Sequence, residues 1–166
     1  MWTTPIFDRT NSDVTYLKSL YAKFGVGGFD GFTLEEKAYW IDNTVKGSLN
    51  SEDLNRIENN ISYLSSQLNT YGYTNTITEK EVLWTKSDMF YLTDLDRIRQ
   101  NIMNICEAYP VLPTITFPTL LDSSLDYIKV NELEELLYRT NELLETLISS
   151  FRMCGTFYCG ENNAYL

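Results

Sequence analysis

A chain of 166 residues with 13 Lys+Arg, 23 Asp+Glu and no histidine carries a net charge of −10. The missing imidazole excludes Ser–His and Cys–His catalytic pairs and any His-containing zinc, haem or non-haem iron site. The acidic balance repels phosphate backbones, so nucleic acid is not an expected partner, while 43% apolar and 14% aromatic residues describe a packed domain and not an acidic disordered tail.

Residues 1–9, Met1-Trp2-Thr3-Thr4-Pro5-Ile6-Phe7-Asp8-Arg9, lack the basic start and apolar run of a signal peptide. No stretch approaches the ~18 apolar residues that span a bilayer, so a soluble protein without a membrane partner is expected.

The first helix is announced by Ser12-Asp13, a capping hydroxyl and an acid in the first turn. Val14, Leu17, Tyr21 and Phe24 then recur at spacings of three and four, an apolar stripe on one face. Gly25-Val26-Gly27-Gly28 reads as a flexible turn behind it, because it lacks the Gly-Lys-Ser/Thr ending and the preceding strand of a phosphate loop. Thr33-Leu34-Glu35-Glu36-Lys37-Ala38-Tyr39-Trp40 predicts a short helix opened by a Thr-x-x-Glu capping box. The second long helix starts at Ser51-Glu52-Asp53, carries Leu54, Ile57, Ile61, Leu64 and Leu68, and ends at the glycine-centred Tyr71-Gly72-Tyr73-Thr74-Asn75. The third starts at Thr93-Asp94 and carries Leu95, Ile98, Ile102 and Ile105. A proline-rich stretch, residues 109–118, stops it and reads as extended chain. The fourth carries Val130, Leu133, Leu137, Leu144 and Leu147, with Thr140 occupying a stripe position. The connections, about 25 residues each, are longer than most bundle loops.

Some segments repeat. Ser48-Leu49-Asn50 with Leu54-Asn55-Arg56-Ile57-Glu58 parallels Ser124-Leu125-Asp126 with Val130-Asn131-Glu132-Leu133-Glu134, and Trp2-Thr3 precedes its helix much as Trp84-Thr85 does. The matches Ser48/Ser124, Asn55/Asn131 and Glu58/Glu134 fall outside the apolar stripe, which favours duplication over chance amphipathicity. The expectation is a mainly α fold: a four-helix body made of two duplicated helix pairs (about 1–75 and 84–150), with long connections. Residues 1–152 form one domain, and residues 153–166, apolar, aromatic and without helical period, form a C-terminal arm or hairpin.

Carboxylates are the only plentiful reactive groups. Glu132, Glu134, Glu135, Glu142 and Glu145 lie away from the stripe of the last helix and read as a solvated face. Capping explains Asp94, and Asp94 with Asp96 makes no Asp-x-Asp-x-Asp-Gly calcium loop. Arg56 and Arg97 occupy equivalent helix positions and read as surface partners of nearby acids. Cys106 falls on an apolar helix side, and Cys154-x4-Cys159 without further ligands is a poor metal signal; free thiols are favoured over a bridge in a reducing compartment. No catalytic, cofactor-binding or metal-ligating residue is expected. Core filling is the default for Trp2, Trp40 and Trp84. Yet 12 Tyr and 3 Trp exceed what helix stripes require and suit protein interfaces or sugar stacking. Trp2, Phe157, Tyr158 and Tyr165 are the candidate partner-binding residues.

Trp2-Thr3-x-Pro5 with Asp8-Arg9-Thr10 and Asp13-Val14, then Leu49-Asn50-x-x-Asp53-Leu54-Asn55-Arg56-Ile57-Glu58-x-Asn60-x-x-Tyr63-Leu64, and the ending Gly155-Thr156-Phe157-Tyr158-x-Gly160-Glu161, resemble segments of phage and prophage virion structural proteins of Gram-positive anaerobic bacteria, commonly tail, baseplate or fibre-associated ones. The resemblance implies a non-enzymatic connector, made in a bacterial cytoplasm and located in the virion tail. Its partners would be other tail proteins and further copies of itself. The alternative in the same setting is a glycan-binding module for the host surface.

Overall fold

The computed structural model describes residues 1–42, 45–109 and 125–154. The described chain is mainly helical and contains no strand: α1 (Asn11–Gly27), a 3-10 turn (Gly28–Gly31), α2 (Leu34–Asp42), α3 (Ser51–Thr70), α4 (Leu92–Ala108) and α5 (Tyr127–Cys154). All five expected helices form. The cap residues differ: Thr10, not Ser12, caps α1, and Asn50, not Ser51, caps α3. Asp13 and Asp53 answer from the third helical position, each accepting the cap's own N–H, as Asp94 accepts that of Tyr91. The Thr33–Glu36 box opens α2 as expected.

Helix ends follow glycine and proline chemistry. Past α3, Gly72 sits at φ +88°, and the N–H groups of Gly72 and Tyr73 return to the carbonyls of Asn69 and Leu68 at 3.2 and 2.9 Å. Only a residue without Cβ adopts that turn cheaply. The glycine run after α1 is no free turn: the helix continues through Gly27, and Gly28 alone reaches positive φ (+58°), its N–H bonded to the Phe24 carbonyl. α4 stops at Ala108, with Tyr109 extended before Pro110 as a pre-proline residue must be. α5 runs to Cys154, two residues beyond the expected domain edge at 152.

The expected four-helix body is not what the core shows. One cluster joins the stripes of α3, α4 and α5 with Trp84. A second, separate cluster joins Leu20, Phe32 and Val45, with Leu17 and Trp40 against it. α1 therefore turns a different face inward than its sequence suggests. Leu20 is fully buried, while Tyr21 and Phe24 are 59% and 43% exposed. The reason is its partner, since α1 packs on the 3-10 turn and α2, not on the bundle.

The three bundle helices run in the same direction. Arg97 near the start of α4 meets Glu58 near the start of α3, and Tyr109 beyond α4 meets Tyr73 beyond α3 with ring centroids 4.9 Å apart. Glu134 in the third turn of α5 meets Arg56 in the second turn of α3. Parallel helices cannot be joined by tight turns, which accounts for the long connections. Residues 73–84 return along α3 and α4.

Candidate interaction site

Two extended segments, 2–9 and 73–84, lie on the bundle without a strand partner. Their backbone N–H and C=O groups still require partners. Asparagine supplies them, because its side-chain amide presents one donor face and one acceptor, the same pair a neighbouring strand would offer. Asn60 accepts from Thr3 N–H and donates to Thr3 C=O at 2.9 and 2.8 Å. Asn131 does the same to Arg9 at 3.2 and 2.8 Å, Asn55 to Trp84 at 2.7 and 2.9 Å, and Asn101 to Thr78 at 2.8 Å twice. Thr3 to Arg9 and Thr78 to Trp84 are equal spans of chain. α3 thus holds one end of each segment, while α5 and α4 hold the others.

The clamps clarify which residues repeat. α3 reads Asp53-Leu54-Asn55-Arg56-Ile57-Glu58-Asn59-Asn60, and α4 reads Asp94-Leu95-Asp96-Arg97-Ile98-Arg99-Gln100-Asn101. Asn60 and Asn101 do the same work in that frame, and Asn55 does the same work as Asn131 of α5.

Segment 2–9 is also anchored by charge. Arg9 Nη2 lies 3.0 Å from Asp53 and 2.9 Å from Glu134, and Arg56 Nη2 lies 2.5 Å from Asp53 and 2.7 Å from Glu134. The four side chains are between 0% and 11% exposed, so two guanidinium groups and two carboxylates neutralise each other out of water. Burial works against the Arg56 charge, but its bonds to Glu134 and then Asp53 outweigh that and raise its pKa above the usual value. Glu134 accepts from Ile6 N–H, Arg9 Nη2, and Arg56 Nε and Nη2. A carboxylate so committed holds segments together and has no lone pair left over for proton transfer.

This corrects the reading of α5 as carrying only solvated acids: Glu132, Glu135, Glu142 and Glu145 are exposed, but Glu134 is 0% exposed. Arg56 and Arg97 are likewise not surface pairs. Arg97 bonds Glu58 and the Thr78 carbonyl, with its side chain 17% exposed. The pairing Asn131–Glu134 with Asn55–Glu58 was the available sequence signal for both.

Of the candidate partner-binding residues, Trp2 is half-buried against the main core, its ring centroid 5.7 Å from that of Tyr63. Phe157, Tyr158 and Tyr165 lie outside the described residues, as does the expected C-terminal arm from residue 155 on. Trp84 is buried and Trp40 packs in the second cluster. Cys106 is half-buried, and burial pushes its thiol up to about 11 despite a hydrogen bond with Thr140. That contact also explains Thr140 on the α5 stripe: it is buried, with its hydroxyl donating to the Leu136 carbonyl at 2.8 Å. Among the described residues no group of three or more His, Cys, Asp or Glu could hold a metal ion. No described helix is long and apolar enough to cross a membrane.

Local spacing does not announce the lobe formed by α1, the 3-10 turn and α2. Phe24 stacks on Trp40 at 5.2 Å, Tyr21 meets the same ring edge-on at 5.2 Å, and Phe32 joins at 5.1 Å. Around these rings Val26 is 94% exposed, Leu34 88% and Ile41 57%. Lys86 reaches the Ile41 carbonyl, so the lobe adjoins the loop carrying the exposed Val82, Leu83 and Met89. Beside the lobe, Tyr16 and Tyr39 line a cleft of about 340 Å³ together with Asp13, Glu35 and Lys46. Tyr39 donates to Glu35 at 3.3 Å, and the charge of Glu35 raises the pKa of that phenol. Comparison with protein-family models, curated proteins and solved structures finds no match to this chain.

Proposed function

We propose that this protein is a non-enzymatic structural or connector component of a phage tail or prophage-derived particle, acting by subunit assembly. The observation that carries the reading is the apolar and aromatic surface of the α1–α2 lobe on a chain of net charge −10. Exposed apolar groups so numerous cost solubility unless a partner covers them. The bundle serves as the rigid base, and duplication of its clamped helix frames is part of the same reading, as is location in the virion tail. Trp2, Phe157, Tyr158 and Tyr165 remain candidate contacts.

The test replaces Val26→Ser, Leu34→Ser and Ile41→Ser together. These side chains are largely exposed, so the helical circular dichroism should not change. Mass spectrometry of purified particles should then find the chain absent, where the unaltered protein is present. Undiminished incorporation would sink the lobe as the docking surface, and absence of the unaltered protein from particles would sink the virion reading.

A second reading, a host-surface glycan-binding module, is favoured by the Tyr16–Tyr39 cleft. Two rings with carboxylates beside them provide stacking and hydroxyl acceptors for a sugar. A glycan array probed with the protein and with Tyr39→Ala separates the two. A pure connector gives no signal, whereas a lectin gives one that Tyr39→Ala removes.

A further inference from the structure

The path of residues 2–9 over α3 and α5 has the features of peptide recognition. Backbone is read first: Asn60 and Asn131 each pair with the N–H and C=O of a single residue, and Glu134 takes the Ile6 N–H at 2.8 Å, so only an extended chain fits. Side chains are read next. Trp2 lies on Tyr63, Pro5 is buried, Phe7 lies 5.4 Å from the ring of Tyr138, and Arg9 closes the buried ion cluster with Asp53 and Glu134. Proline suits the path because it needs no partner for a missing N–H. Arginine suits its end because the two carboxylates would otherwise leave Arg56 as their only cation.

The link from Arg9 to α3 runs through the α1–α2 lobe, whose apolar cluster is separate from the bundle core. The segment can therefore leave the groove without unmaking either cluster of buried apolar residues, and in an assembly the identical segment of a neighbouring copy is a competitor for it.

We propose that the groove across α3 and α5 is a peptide-recognition site whose ligand is residues 2–9 of a second copy, linking copies segment to groove. Its choice of occupant rests on the assembly reading; the recognition itself does not.

The first probe is a fluorescein-labelled peptide of residues 1–10, titrated against full-length chain carrying Trp2→Ala and Arg9→Ala, which weakens the internal occupant. The expected result is saturable anisotropy, at least tenfold weaker for a peptide with Arg9→Ala, and no binding to the unaltered chain, whose groove is filled. If the double variant is unfolded, the peptide should restore its helical circular dichroism and a scrambled peptide should not. No binding to a folded variant, no restoration of an unfolded one, or equal binding of the Arg9→Ala peptide overturns the recognition site. The second probe mixes the double variant with a chain carrying Asn131→Ala. Sedimentation should show a one-to-one heterodimer that neither chain forms alone, and monomers only would overturn exchange between copies. Neither probe contains another virion protein or alters the lobe, so failure here is distinct from failure of the particle assay.

Discussion

Glu134 shows how far one side chain's role depends on its surroundings. By position it is one of five glutamates on α5, yet it is the one that four donors from segment 2–9 and α3 surround. Glu134→Gln keeps the shape but leaves two buried guanidinium groups sharing Asp53. Removing one partner from a buried ion cluster typically costs about 3–5 kcal/mol, and the loss should appear as a lower urea midpoint with the slope unchanged. Glu135→Gln, on the exposed face, should shift the midpoint by less than about 0.5 kcal/mol. Cys106 offers a check on burial. With its thiol at about 11 against an ordinary 9.0, alkylation at pH 8 followed by peptide mapping should run roughly a hundredfold slower at Cys106 than at a free model thiol.

At the scale of elements, the helices follow from sequence and the extended segments follow from the helices. Three and four spacing, cap residues and Gly72 are local facts, and the helices they predict form where expected. Segments 73–84 and 2–9 have no period of their own. Their course is imposed by asparagines far away in the chain, which no local pattern can announce. Asn101→Ala removes both bonds to Thr78, leaving its N–H without a partner while its carbonyl keeps only Arg97. The expected cost is about 1–3 kcal/mol by urea unfolding, with amide exchange accelerated first in residues 73–84. The docking of α1 is tested at Gly47. A Cβ there would collide with the Asp13 carbonyl and lie 2.8 Å from the Val14 nitrogen, both backbone atoms that cannot rotate away. Gly47→Ala should therefore destabilise by about 1–3 kcal/mol and loosen the lobe, read as faster exchange in α1 while α3 stays protected.

For the whole molecule, charge and topology act together. The absence of histidine means that no side chain of ordinary pKa titrates between pH 6 and 8, so the melting temperature should be flat there. Several carboxylates are held below their usual range: Asp8 by Lys46, Asp13 by the Thr10 hydroxyl, Glu36 by Lys23 and Asp88 by the Thr85 N–H. A depressed carboxylate stabilises the fold fully above its unfolded value, near 4, and loses that contribution as pH falls through the folded value. Calorimetry should find the plateau ending near pH 5 and a decline below about 4.

The sequence alone determined the helices, their stripes and most of their ends, because these depend on neighbours within a few residues. It also showed the Asn55/Asn131 and Glu58/Glu134 matches without disclosing their use. Tertiary structure decided the rest. It excluded α1 from the bundle and buried Leu20 in place of Tyr21, because a helix face has no fixed inside until a partner covers it. It likewise turned Glu134 from a surface acid into the centre of a buried cluster, because Arg9 and Arg56 reach that point only when separate parts of the chain converge. The lobe's exposed rings belong to the same class of fact: spacing can suggest which residues are apolar together, but only packing decides which of them is left uncovered.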